Sequence, residues 1–335
     1  MTTLITGVGA VGSHVAAKLQ SMGESVVLYD VAPQRDFLGT IVDLSRARLV
    51  VGDVNDLETL RATIEREKVE RIVHLAGLLT KGLRDKPYQG VKLNILGTGS
   101  VLEVARLTGV RRVVFASTRG VNQIALPPRN GEALDEDFTF RVLSDRPKTM
   151  YELSKLTGEL LGLLYHDSYG VDFAALRLSG GFGPTPGAPS GLTGTVLRPL
   201  VVGPALGQDV TIDDASLTYG GRHEFIYFKD DAQAIALACF APRLDKRVYN
   251  IRMDRTYEYG EVVEIARRVF PGVRIEVAAT SSASMSPGHA PREDFADTTA
   301  ARTELGWSPG YDLEAGIRDW AEWIRRTSAT APMRS

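Results

Sequence analysis

Tyr151 and Lys155 stand four residues apart in P-K-T-M-Y-E-L-S-K, residues 147–155, a spacing that puts both on one face of a helix. A phenol acting as a base near neutral pH needs a fixed cation beside it, because its free pKa is about 10. Lys155 offers that cation. Upstream, an apolar run over 112–116 leads into F-A-S-T, which leaves Ser117 and Thr118 at the carboxyl end of a strand. That edge is where open α/β sheets bind ligands. A hydroxyl, a phenol and an ammonium around one point can move a proton on or off an oxygen-bearing carbon while hydride moves on the same carbon.

Hydride needs a carrier, and the opening T-G-V-G-A-V-G holds a nucleotide-binding turn. Gly7, Gly9 and Gly12 form G-x-G-x-x-G between an apolar strand and a helix that begins near Ala10 and Val11. Gly7 permits the tight turn, Gly9 lets backbone approach a pyrophosphate, and Gly12 lets helix and strand pack closely. The pyrophosphate is expected on the helix N-terminus. Asp30 closes the second strand, V-V-L-Y-D, where a carboxylate accepts ribose hydroxyls and repels a 2′-phosphate. NAD is therefore expected over NADP, with Arg35 the dissenting residue. Asp53 and Val54 end the third strand near the expected adenine, although Asp53 could equally cap the next helix. Leu75, Ala76 and Gly77, in H-L-A-G, end the fourth strand with small groups suited to lying against a cofactor; His74 by itself reads as core.

Elements able to hold these residues alternate along the first half of the chain. Strands are expected at 3–6, 25–29, 47–51, 71–75, 112–116 and 172–178, with helices at 11–22, 57–67, 87–107 and 149–169, the last ended by Gly170. This is the pattern of a doubly wound parallel sheet, a Rossmann fold. The expected division is a cofactor domain over 1–178 with a strand returning at about 247–252. A smaller mixed α/β substrate lobe takes 179–246 and 253–326, and a frayed tail 327–335. The Pro/Gly-rich stretch 183–191 and the small-residue stretch 281–291 read as loops. The net charge of −2 gives no reason to expect nucleic acid or an anionic membrane. No apolar run approaches a membrane span, and the start of the chain lacks signal-peptide features, so a cytoplasmic protein is expected. The single cysteine, Cys239, excludes an internal disulfide and reads as core, and no metal site is expected.

The chain resembles the extended short-chain dehydrogenase/reductase family, in its epimerase/dehydratase group. The likeness runs through the glycine turn, Asp30, D-V at 53–54, H-L-A-G, N-I-L-G-T at 94–98, F-A-S-T, Y-E-L-S-K, L-R at 176–177, F-I-Y-F-K-D-D-A at 225–232 and E-L-G-W-S-P at 304–309. It implies Tyr151 as acid/base, Lys155 as the residue that lowers the Tyr151 pKa and binds the nicotinamide ribose, and Thr118 with Ser117 as partners of the reacting oxygen. Asn94 resembles the family's helix-kinking asparagine, placed among the cofactor residues with a structural role equally open. Several positions depart from the pattern. The first turn is a residue short, and Thr118 is followed by Arg119 and Gly120 where dehydratases have Asp and Glu. Gly180 stands where epimerases use an asparagine against the substrate diphosphate, and Arg222 is one position out of register with their phosphate-binding arginine.

R-P-K-T-M-Y-E-L-S-K-L-T-G-E-L and L-L-T at 78–80 also look like the short-chain L-threonine 3-dehydrogenases, which bind a small zwitterion through side-chain hydroxyls that map to Thr80 and Thr193. The expected function is an NAD-dependent dehydrogenase or reductase of a secondary alcohol or ketone on a small polar substrate. A nucleotide-sugar 4-epimerase is the alternative, and an NAD-binding sensor without turnover a third reading. Surplus apolar residues on the helices at 87–107 and 149–169 point to a homodimer through a four-helix bundle, as the resemblance also implies.

Overall fold

The structure is a computed structural model describing residues 1–124, 135–137, 149–187, 192–213, 222–277 and 296–330. The short apolar runs that lack two-residue alternation form strands covered on both faces, except for the half-exposed edge strand β3. These are β1 (Thr2–Thr6), β2 (Ser25–Asp30), β3 (Ala47–Val51), β4 (Arg71–His74), β5 (Arg112–Thr118) and β6 (Phe173–Leu178). The strand Val248–Ile251 returns beside β6, giving seven strands in the order Val248–Ile251, β6, β5, β4, β1, β2, β3. Every pairing in this sheet is parallel. The expected doubly wound sheet is therefore the observed one. Leu4, Val27, Ile72, Val113 and Phe173 of the strands share an apolar layer with Leu60, Ile64, Val101 and Leu102 of the crossover helices.

Two helices differ from expectation. The single helix expected over 87–107 is three pieces: Pro87–Val91, a π-helical turn Lys92–Leu96, and Gly97–Thr108. Asn94 sits inside that turn and is buried, and such bulges recur at functional sites. The helix Met150–Tyr169 starts with a capping box between Thr149 and Glu152 and ends at Gly170 in the left-handed conformation. Its buried face is not its leucine face: Glu152, Ser154, Lys155, Gly158, Glu159 and Gly162 turn inward, while Leu153, Leu160 and Leu164 are 39%, 51% and 53% exposed. Glycines let it approach the sheet. A Cβ on Gly158 would lie 2.5 Å from the Phe115 ring and one on Gly162 would lie 2.1 Å from the Phe173 ring.

The chain divides into two units: Met1–Ser179 with Asp231–Ile251 and Asp294–Ser308, and Gly180–Asp230 with Arg252–Glu293 and Pro309–Ser335. Residues 231–246 and 294–308, which the sequence assigned to the smaller lobe, thus group with the sheet. Arg71 and Arg112 show why. From the starts of β4 and β5, Arg71 Nε donates to the Cys239 carbonyl at 2.9 Å, and Arg112 Nη1 to those of Ala238 and Ala241 at 2.7 Å each. Both guanidiniums therefore sit at the C-terminal end of the helix Phe228–Phe240, where cations are favoured. Glu304 accepts from the Tyr249 hydroxyl at 2.7 Å, and Trp307 is fully buried.

In the second unit, Leu197, Leu200, Phe225, Val262, Ile317 and Trp320 form a core beside three two-stranded pairs. Where a frayed tail was expected from 327, the helix Leu313–Thr330 carries through 327–330; residues 331–335, 188–191 of the Pro/Gly-rich stretch, and 281–291 lie outside the described residues. Among the described residues no helix is long and apolar enough to cross a membrane.

Candidate active site

The glycine turn has the geometry its spacing requires. Gly7 has φ +79°, and a Cβ there would come within 2.6 Å of the Ala76 nitrogen. A Cβ on Gly12 would come within 2.2 Å of the Gly7 carbonyl oxygen. Both positions are closed by the protein itself. A Cβ on Gly9 would meet no protein atom within 4 Å, so nothing in the fold demands glycine there; a group approaching the backbone from outside does. Helix α1 (Ala10–Ser21) begins at this point without a side-chain cap and without an acid in its first turn, which suits an anion. Asp30 is held at both oxygens, by the Val8 amide at 2.9 Å and the Ala32 amide at 2.9 Å. Its remaining lone pairs suit ribose hydroxyls. The residues present fit a dinucleotide.

Asp53 does not cap the next helix, because Asp56 does so through Thr59. The Asp53 carboxylate instead closes a turn onto Asn55, with Val54 buried beside it. His74 is the core histidine expected: it is held between Thr6 and Thr98 at 2.7 and 3.1 Å, and burial pushes its pKa down to about 3. Leu75, Ala76 and Gly77 follow directly, with the Leu75 amide donating to Thr6. Asn94 grips the backbone of Leu78, accepting from its amide at 2.8 Å and donating to its carbonyl at 3.0 Å. Its second N–H reaches Ser154 at 3.1 Å. Of the two roles open for Asn94, the structure displays the structural one, tying the segment after β4 to the Tyr151 helix.

Thr118 ends β5, near enough to the Tyr151 phenol to act on its pKa, and its hydroxyl accepts from the Gly120 amide at 3.2 Å. Burial pushes the Tyr151 phenol up to about 12, Thr118 opposes the rise and the Glu152 carboxylate adds to it. This is the reverse of the lowering expected from Lys155. The reason is geometric. Lys155 Nζ donates to the Ala116 carbonyl at 2.7 Å and lies 4.7 Å from the Phe115 ring centroid but 5.8 Å from that of Tyr151. Burial also brings Lys155 down to about 8, against the charge of Glu159. At neutral pH the resting site thus holds a protonated phenol and a largely charged ammonium. Ser117 was expected beside the reacting oxygen, but its hydroxyl donates to Glu159, so its proton is already committed.

The residues proposed for substrate are less well gathered. Thr80 opens the short helix Thr80–Asp85 in the first unit and is exposed. Gly180 and Thr193 meet in the second unit, where a Cβ on Gly180 would stand 2.2 Å from the Thr193 hydroxyl oxygen. Arg222 is tied to Thr256 at 2.9 Å and to Glu258 and Glu261 at 3.2 and 3.5 Å. Those two carboxylates would have to yield before it could serve a phosphate. Sequence reasoning missed Glu159 and Arg177, although the four-residue step from Lys155 to Glu159 and the L-R pair were visible.

The model of the NAD dependent epimerase/dehydratase family matches residues 3–251. The chain is 26% identical to the UDP-glucose 4-epimerase of Halalkalibacterium halodurans, with 96% of this chain and 95% of that protein covered. Among solved structures, the UDP-glucose 4-epimerase of Thermus thermophilus in complex with NAD has a TM-score of 0.75 at 25% identity, covering 97% of this chain and 99% of that one. The L-threonine dehydrogenase of Cupriavidus necator has the same TM-score at 22% identity, covering 96% and 99%; that likeness concerns fold.

Proposed function

The chain belongs to the NAD-dependent epimerase/dehydratase family, and from that premise we propose that it interconverts the C4 epimers of a nucleotide sugar of the UDP-hexose class. What carries the reading is the convergence of Thr118, Tyr151 and Lys155 at the end of β5, in a chain that aligns over 96% of its length with a UDP-glucose 4-epimerase. NAD, when bound, supplies the hydride acceptor for the carbinol carbon and the donor for its return. Gly7, Gly9, Ala10, Val11, Gly12 and Asp30 would hold it. Thr118 orients the substrate oxygen. Tyr151 takes its proton as the alcohol becomes a ketone and gives the proton back on the opposite stereochemical course. With a resting phenol near 12, the first of these steps needs positive charge close to the phenol oxygen.

The original preference for a dehydrogenase of a small substrate remains as the second reading, because Thr193 takes the space beside Gly180 and Arg222 is engaged by carboxylates. One experiment separates the two. The purified protein is incubated with UDP-glucose or UDP-galactose, and the products and the 340 nm absorbance are followed. Interconversion without net NADH supports the epimerase; no interconversion, with stoichiometric NADH from L-threonine or another small alcohol, overturns it. A cytoplasmic location and a homodimer through the leucine face of the Tyr151 helix belong to the same proposal.

A further inference from the structure

Behind Lys155 lies a buried ionic cluster. Glu159 stands one helical turn beyond it, and both Glu159 and Arg177 are almost fully buried, at 2% and 5% exposure. Arg177 Nε donates to Glu159 Oε1 at 3.0 Å, and Nη2 to Oε2 at 2.8 Å, a bidentate pair of the strong kind. The Ser117 hydroxyl donates to Glu159 Oε1 as well. Ser117 and Arg177 are register partners on β5 and β6, so a single helical carboxylate grips a pair of adjacent strands. Arg177 Nη1 continues the cluster to the Glu136 carbonyl at 3.2 Å.

We propose that Glu159 is a positioning residue for the catalytic pair: clamped to Ser117 and Arg177, it fixes how the Tyr151 helix sits over the end of β5 and presents a buried negative charge to Lys155. The proposal rests on the reading of Tyr151 and Lys155 as the proton-handling residues. A buried carboxylate is expensive unless paired and hydrogen-bonded, and here both oxygens are used. Replacing the pair by apolar groups would serve stability as well, so stability alone does not account for it. Lys155 is brought down to about 8 by burial, and the Glu159 charge is what acts in the other direction. The remaining titratable or charged groups near this ammonium are Tyr151 and Glu152 on its own helix, His74 on β4, Arg177 on β6, and Arg119 after β5; Arg71 and Arg112 stand at the opposite ends of β4 and β5, and Tyr165, His166, Asp167 and Tyr169 more than two turns further along the helix. Lys81, Arg84 and Asp85 of the Thr80–Asp85 helix and Lys92 of the π-turn are exposed, and Glu103 and Arg106 of Gly97–Thr108 pair with each other.

The test is the titration of Lys155 Nζ by NMR in full-length, lysine-labelled protein, its signal identified by loss in Lys155→Met. Glu159→Gln preserves shape but strands the Arg177 charge, so Glu159→Gln/Arg177→Met is measured beside it, and folds if the single variant does not. Glu159→Gln is expected to lower the Lys155 midpoint by about one pH unit or more, and the double variant, which loses the Arg177 charge as well, to lower it by less. In turnover, the expectation is a kcat reduced about tenfold at pH 7.5 with KM within about twofold, the pattern of a group acting on catalysis and not on ground-state binding. A Lys155 midpoint within about 0.3 unit of wild type in folded Glu159→Gln, or one not lowered at all in the folded double variant should the single variant fail to fold, overturns the proposal, since one nearby charge shifts a buried group by more than that. The titration needs no substrate, so it decides the role of Glu159 even if the proposed sugar substrate is wrong.

Discussion

His74 is buried and Tyr151 half-buried beside β5, and loss of surrounding water acts on them in opposite directions. The phenol is raised to about 12 and the imidazole lowered to about 3, because in each case the low-dielectric surroundings disfavour the charged form. Tyr151→Phe removes the proposed acid/base while leaving the glycine turn and Asp30 untouched. Turnover should fall by at least about a hundredfold with NAD affinity unchanged, as read by steady-state rates beside calorimetric titration. For His74 the sign follows from linkage. Its folded pKa lies below its unfolded one, so below about pH 6.5 the unfolded chain binds a proton that the folded chain refuses. Stability is complete above that pH and is lost as pH falls toward 3. Urea unfolding should therefore lose about 2 kcal/mol between pH 6.5 and 5 from this residue. A His74→Gln variant, weaker at pH 7, should show a flatter pH dependence over the same range.

At the scale of elements, the helix Met150–Tyr169 decides how close the chemistry sits to the sheet. Gly162 meets the Phe173 ring so closely that an added methyl would stand 2.1 Å from it, and Gly162→Ala should cost about 1–3 kcal/mol by overpacking, measurable as a lowered urea midpoint. Such contacts were not legible in the sequence, where Gly158 and Gly162 read only as weak spots in a leucine-rich helix. The glycine turn, Asp30 and the Tyr151–Lys155 step were legible, because each depends on residues close in the chain or on a strand end whose place follows from its own pattern. The Ser117–Glu159–Arg177 cluster joins residues 42 and 18 positions apart, which no local spacing encodes. The π-turn around Asn94 was hidden for a related reason: one extra residue per turn leaves an apolar pattern that still reads as helix.

Across the whole molecule, the parallel doubly wound sheet followed from alternating strand and helix signals, but the order of its strands and the limits of the two units did not. Residues 231–246 join the sheet unit because Arg71 and Arg112 reach their carbonyls from far away in sequence, and charge at a strand start carries no label for its partner. The apolar surplus was also only partly read. Val101, Leu102 and Val104, counted toward a partner surface, are fully buried within the chain, whereas Leu153, Leu160 and Leu164 are open. That leucine row is where a second copy is expected to dock. Light scattering at micromolar concentration should give twice the 36.4 kDa of one chain, and Leu160→Glu/Leu164→Glu should return the mass to one; a single-chain mass for the wild type would remove the dimer.

Phe115 and Phe173 lie under the Tyr151 helix as two flat shims, each contacted through a missing side chain at Gly158 and Gly162. The height of Tyr151 and Lys155 over the sheet is thus set by the thickness of two aromatic rings, neither of which touches a substrate. Trimming Phe173 to leucine would let the far end of the helix settle, and a rigid twenty-residue rod that tips at one end also moves at the other. A substitution chosen as a core defect would then register as a change in rate, with the loss of stability the smaller of its two effects.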